Sequence, residues 1–190
     1  RYDLKALQRI RVTIGERDFA ALYQQNPIPD EGDYFKKPHF RYYVPQDLPN
    51  INELRLFCTF DLAIGEKEQN DYTAGVVAGV DNAANIYVLR VYHEKIDALK
   101  IAELLFDIWD DWKPEVIGLE KGHIEGTMAP FLAKMAEERR VFPFFDPLPV
   151  GRKDKVARAQ AIRGWMAHGK VYWNRMDPMQ NEAIEELLKF

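Results

Sequence analysis

The chain has 190 residues, of which 47% are hydrophobic and 13% aromatic, the composition of a globular protein and enough for one well-packed domain. A formal net charge of −4 excludes a uniformly basic surface, yet residues 151–170 carry six Lys or Arg against one acid, so basicity is concentrated where a polyanion could be held. The lone cysteine, Cys58, rules out a disulfide framework and a cysteine zinc site. No apolar run reaches the roughly 18 to 20 residues of a membrane span, and "RYDLKALQRI" is not a signal peptide, so a soluble, intracellular protein with no membrane partner is expected.

In chain order, Leu4, Leu7, Ile10, Phe19 and Leu22 follow a helical pattern that gives way to "NPIPDEGDYFKKPHF", rich in Pro, Gly and charge. Residues 1–52 therefore read as an arm or linker. Alternating apolar runs then predict strands over Arg55–Ala63, Tyr72–Val80 and Ile86–Glu94, the last two joined by the turn "DNAAN", as an antiparallel meander. Ile101, Leu104, Leu105, Ile108 and Trp112 line one helical face, with Asp97 as N-cap and Lys113-Pro114 as the stop. "EVIGLE" predicts a short strand ending in Glu120, followed by a helix over Ile124–Arg140 and a strand in "VFPFFDPL". A helix over Lys153–His168, the strand "KVYW" and a final helix capped by Asp177 with Pro178 at its first position complete the chain. The order describes an α/β fold: a mixed sheet of a three-strand meander followed by parallel βα units, with helices on both faces.

In such a sheet, chemistry collects at the carboxyl ends of the parallel strands, and the first and fourth predicted strands end in Asp61 and Glu120. Two neighbouring carboxylates repel unless a proton or a cation neutralises them. Oxygen ligands without nearby Cys or His favour a hard ion, Mg²⁺ or Mn²⁺, and paired ions about 3.5 to 4 Å apart are the basis of two-metal phosphoryl chemistry. Asp61 reads equally as a turn residue or cap, whereas Glu120 has no obvious helix to cap. Asp71 can approach Asp61 across its loop or remain solvated, and Asp81 reads as a turn residue. His123 can donate to a phosphate or simply occupy a helix start.

These segments together resemble the C-terminal nuclease domain of the large terminase subunit of tailed double-stranded DNA phages, which has a ribonuclease H-like fold. "FAALYQQNPIPDEGDYF" is similar to the link from the packaging ATPase, "TFDLAIGEKEQNDYTAGVVAGVD" to the first-acid strand and its neighbour, "VIGLEKGHIEGTMAPFL" to the second-acid strand and helix, and "GRKDKVARAQAIRGWMAHGKVYW" to a K-x-x-R-A stretch. The resemblance makes Asp61 and Glu120 catalytic, metal-binding acids and Asp71 a further metal-site candidate. It implies a metal-dependent endonuclease that cuts double-stranded viral DNA at the start and end of genome packaging, in the cytoplasm of the infected host. The portal protein and small terminase subunit are the implied partners, and the isolated domain is expected to be monomeric. The family's third acid follows the final helix, so residues 53–190 are expected to form a nuclease domain that stops short of it, preceded by a link from an ATPase domain not included in the chain.

Within the basic stretch, Arg152, Lys155, Arg158 and Arg163 recur along a predicted helix. A solvated outer face accounts for them; so does a phosphate track, since Lys and Arg grip the backbone of any DNA sequence without reading bases. Arg152, Lys155, Arg158 and His123 are accordingly the candidate DNA-binding residues. Two rival readings stand beside the terminase one: a Holliday-junction resolvase or integrase of the same fold, and a non-catalytic module that docks on the portal or small subunit.

Overall fold

Along Arg55–Asp61 the side chains divide cleanly between two environments: Cys58 and Phe60 are buried and Leu56 half-buried, while Arg55, Thr59 and Asp61 on the opposite face are exposed. That period of two is the signature of a strand with one face on a core. This is strand β2 of a seven-stranded mixed sheet. The computed structural model describes residues 34–63, 72–121, 124–148 and 155–190, without the side chains of 124, 125, 155, 157 and 158. The helical pattern expected over residues 4–22 lies outside them.

The strands are β1 (Arg41–Tyr43), β2 (Arg55–Asp61), β3 (Thr73–Val80), β4 (Ile86–Glu94), β5 (Val116–Glu120), β6 (Phe145–Leu148) and β7 (Val171–Asn174). The α-helices are α1 (Ala98–Trp112), α2 (Ala129–Arg139), α3 (Lys155–Ala167) and α4 (Pro178–Lys189). The spatial order is β1-β7-β4-β3-β2-β5-β6. β2, β3 and β4 form the antiparallel meander, and β2–β5, β5–β6, β4–β7 and β1–β7 pair in parallel. The expected mixed α/β sheet is thus present. Residues 41–43, inside the segment read as an arm, add an edge strand; three residues are too few for a period of two to show in the sequence.

Compactness divides the chain into two units, one comprising residues 38–183 and the other residues 1–37 with 184–190. In the second, Tyr34, Phe35 and Phe190 pack ring to ring, with centroids 5.2 to 5.7 Å apart.

The core of the larger unit lies on the Cys58–Phe60 face of the sheet, beneath α1 and α2. Ile101, Leu105, Phe106 and Ile108 of α1 and Leu132 and Met135 of α2 meet Cys58, Phe60, Val77, Ile117 and Leu119. Each fully buried side chain of this size contributes roughly 1.5–3 kcal/mol relative to exposure, and together they hold β2 and β5 side by side. The ends of α1 follow from chemistry legible in the sequence. The Asp97 carboxylate accepts from the Lys100 N–H at 2.9 Å, and Lys113 takes a left-handed C-cap ahead of Pro114. At the start of α4, Asp177 accepts from the Met179 N–H at 2.9 Å, which makes it the cap expected there.

One turn departs from α geometry. Ile124–Met128 is a π-turn that leads directly into α2. Pro130 stands just beyond it, where a missing N–H would interrupt an α ladder, and widening the preceding turn accommodates that loss. The helix expected over Ile124–Arg140 is therefore continuous but begins with a distortion directly downstream of Glu120.

Candidate active site

β2 and β5 run parallel with Phe57 opposite Val116, Cys58 opposite Ile117, Thr59 opposite Gly118 and Phe60 opposite Leu119. One residue further along the same register brings Asp61 level with Glu120, on backbones about 5 Å apart. Residues in register on parallel strands share a face, so both carboxylates leave the sheet on the side away from α1 and α2. Asp61 is exposed and Glu120 partly buried. The Asp61 carboxylate has no hydrogen-bond or ion-pair partner among the described residues.

The neighbourhood fixes this position from behind. Phe60 is paired with Gly75, and a Cβ placed on Gly75 would lie 2.2 Å from the Phe60 ring. The glycine lets that ring lie across β3 and reach Tyr92 on β4, with centroids 5.7 Å apart. The residue that precedes Asp61 is therefore clamped over two strands. Cys58, two positions earlier on the same buried face, has its thiol pushed up to about 12 by burial. It is core and takes no part in the open face.

Two further features lie on the Asp61 face. Gly118, opposite Thr59, leaves room over which Leu148 of β6 leans, at 2.9 Å from where a Cβ would stand. Asp146 of β6 is in register with Gly118, two residues before the level of Glu120. Reading the sequence did not single out Asp146; it lay in an expected strand, but that β6 borders β5 is visible only in the folded sheet. No third Asp, Glu, His or Cys joins Asp61 and Glu120 in a metal-holding group among the described residues.

The other expected site residues divide as follows. Asp71, His123 and Arg152 lie outside the described residues, as do the side chains of Lys155 and Arg158. The backbone of 155 and 158 is in the first turn of α3, a helix whose described side chains are mostly exposed and of which only Met166 is buried. Asp81 occupies the β3–β4 turn, at the end of the sheet remote from Asp61. There it accepts from the Ala83 and Asn85 N–H groups, each at 2.8 Å. Burial pushes its pKa up, but the bonds from Asn85 and Ala83 together pull it below the ordinary value. Its role is that of a turn residue, as expected.

A meander whose first strand borders a parallel βα unit, with acids at the adjacent strand ends, defines a ribonuclease H-like α/β domain. The chain belongs to the Terminase RNaseH-like domain family, whose model matches residues 58–190. Among solved structures it is similar to the large terminase nuclease of thermophilic phage G20c, with a TM-score of 0.53 at 14% identity over 78% of this chain and 75% of that one. The same nuclease with bound zinc gives a TM-score of 0.55 at 13% identity, over 84% and 88% of the two chains. The large terminase of bacteriophage HK97 gives 0.55 at 13% identity, and the match covers 93% of this chain but 42% of that one. The chain thus spans less than half the length of that whole terminase. No curated protein matches it.

Proposed function

We propose that this chain is the nuclease part of a large terminase subunit, a metal-dependent endonuclease that cuts double-stranded viral DNA when genome packaging begins and ends. The observation that carries the proposal is the register of β2 and β5, which sets Asp61 and Glu120 one strand apart on an open face in a member of the terminase family. The donor set fits a divalent ion. Two carboxylates held this close need a counter-charge, and among the described residues Asp61 has no protein partner and no thiol or imidazole joins the pair in a metal-holding group. Asp61 and Glu120 would hold the ion, with Asp71 as a further ligand from its loop. When bound, Mg²⁺ or Mn²⁺ supplies Lewis acidity to a phosphodiester and to a nucleophilic water, and two ions suit the complete site.

The protein's own contribution is placement. The packing of Phe60 over Gly75 and against Tyr92 fixes the residue before Asp61 from the core side, and Ala74, the exposed neighbour of Asp61 on β3, adds little bulk beside the acids. Lys155, Arg158, Arg152 and His123 would grip phosphates without reading bases, which suits cutting at varied sequences. The portal protein and the small terminase subunit are the partners that would supply further grip in the host cytoplasm. Residues 1–52 would carry the connection from the ATPase part and contribute the edge strand β1, with 53–190 holding the rest of the nuclease fold.

The test is conversion of supercoiled plasmid to nicked or linear forms by the chain, titrated with Mg²⁺ and Mn²⁺ and with Zn²⁺ for comparison. We expect cleavage that EDTA abolishes, that Asp61→Asn and Glu120→Gln lower by at least a hundredfold, and that leaves the Tm of the variants unchanged. Cleavage retained in Asp61→Asn would move the chemistry elsewhere. Absence of cleavage under every metal condition would favour the docking-module reading.

A further inference from the structure

The row that contains the acids continues across the sheet. Asp61 is paired with Ala74 of β3, and Ala74 with His93 of β4. His93 therefore shares the open face, two strand spacings or about 10 Å from Asp61. In the next row on the same face, Tyr72 precedes β3 and Lys95 follows β4. The Tyr72 ring packs against the His93 imidazole at a tilt of 33° with centroids 4.1 Å apart, and the Lys95 ammonium stands 4.5 Å from the Tyr72 centroid. Tyr72 remains 50% exposed despite these two contacts, so the group is open to solvent. Neither Lys95 nor His93 has a carboxylate partner among the described residues.

An ammonium and an imidazole fixed against one tyrosine, with no acid paired to either among the described residues, form a small pre-ordered anion-binding surface. The tyrosine already carries the imidazole, and its quadrupole attracts the ammonium, so the long lysine side chain has lost part of the freedom it would otherwise lose on binding. A paired base has no access to such a ring, whereas a backbone phosphate needs only the N–H donors. Ala74, the single small residue between Asp61 and His93, leaves a shallow path between this cationic group and the acids.

We propose that Lys95 and His93, held by Tyr72, form a phosphate-binding subsite that grips the DNA backbone a few nucleotides from the phosphodiester at Asp61 and Glu120. The subsite rests on the nuclease reading for its purpose but not for its test, because binding is read without cleavage. It supplies the grip that two carboxylates cannot, since they repel a polyanion until a cation screens them. Lys95 and His93 are positioning residues here: they hold the strand, and no proton passes through them.

The experiment is fluorescence anisotropy of a labelled duplex of arbitrary sequence, titrated with the full chain in Ca²⁺ at several salt concentrations. Plasmid cleavage in Mn²⁺ is followed in parallel. Lys95→Ala and the double variant with His93→Ala should each weaken binding by about tenfold or more, and the double variant most. Lys95→Ala should also flatten the dependence of log K on log salt by about 0.9, the share of one phosphate contact. Lys95→Arg should restore most of the affinity, and Tyr72→Ala should lose it while Tyr72→Phe keeps it. Ala74→Tyr, which leaves all three residues in place, should impair binding by filling the path. Wild-type affinity and salt slope in Lys95→Ala and in the double variant would overturn the subsite, even if the wild type cuts DNA as proposed. Weakened binding in these variants together with an inert wild type would keep the subsite and discard the nuclease reading.

Discussion

Gly75 illustrates how much of the site depends on one hydrogen atom. Any side chain there collides with the Phe60 ring, at 2.2 Å for a Cβ, and that ring belongs to the residue next to Asp61. Gly75→Ala should therefore destabilise the protein by about 1–3 kcal/mol through overpacking, lowering Tm by several degrees in thermal melts. Adding Phe60→Leu, which vacates the space, should cost less than the sum of the two single changes, because the residues touch. Additive losses would mean that Phe60 does not depend on the glycine.

Cys58 provides a second reading at this scale. Its folded-state pKa lies near 12, above the ordinary 9.0, because burial disfavours the thiolate. A raised pKa means that the folded state holds the proton longer, so the stabilisation is fully present below pH 9 and is lost as pH rises toward 12. The Cys58→Ala variant should lack this part of the alkaline loss in denaturant titrations between pH 8 and pH 11. A thiol reagent at pH 8 should label Cys58 only in denatured protein, and rapid labelling of the native chain would contradict the core position.

At the scale of elements, β2 and β5 owe their register to the core, and the Arg55–Glu115 pair at their far ends adds only an exposed contact. Its nitrogen and oxygen atoms are 3.0 and 2.8 Å apart, and both side chains remain largely in solvent. Helix α3 is the element on which the DNA-track reading depends. Replacing Lys155 and Arg158 together by Ala should weaken duplex binding for all sequences alike and reduce the salt slope by roughly two contacts' worth. An unchanged slope would return α3 to a solvated surface.

The elements themselves were largely legible before the structure. Strong period-two runs marked β2, β3 and β4, and a 3.6-residue period with an Asp cap and a Lys-Pro stop marked α1. β1 escaped because three residues carry no period, and the π-turn escaped because Pro130 by itself does not reveal how the preceding turn adapts. The acids stood out because each closes an apolar run. His93, Tyr72, Lys95 and Asp146 did not, since what assembles them is pairing across strands, which no local pattern encodes.

At the scale of the whole molecule, the two candidate acids lie where the meander meets the parallel half of the sheet. β2 is antiparallel to β3 on one side and parallel to β5 on the other, so the carboxyl ends of β2 and β5 lie side by side at this junction. On one face α1 and α2 close the core; on the other, the row Glu120, Asp61, Ala74, His93 runs from the two acids toward the Lys95 ammonium in the next row. A polyanion laid along that row would meet the acids only where a metal screens them and would be held by cations beyond. This polarity accords with the proposed nuclease function, which depends on Asp61 and Glu120 sharing an ion. A crystal of the chain soaked in Mn²⁺ and measured at the manganese edge tests that claim most directly. The account predicts an anomalous peak within about 2.1–2.3 Å of carboxylate oxygens from both Asp61 and Glu120, lost in Asp61→Asn. Two carboxylates more than about 8 Å apart, or manganese bound elsewhere while this pair stays empty, would contradict it.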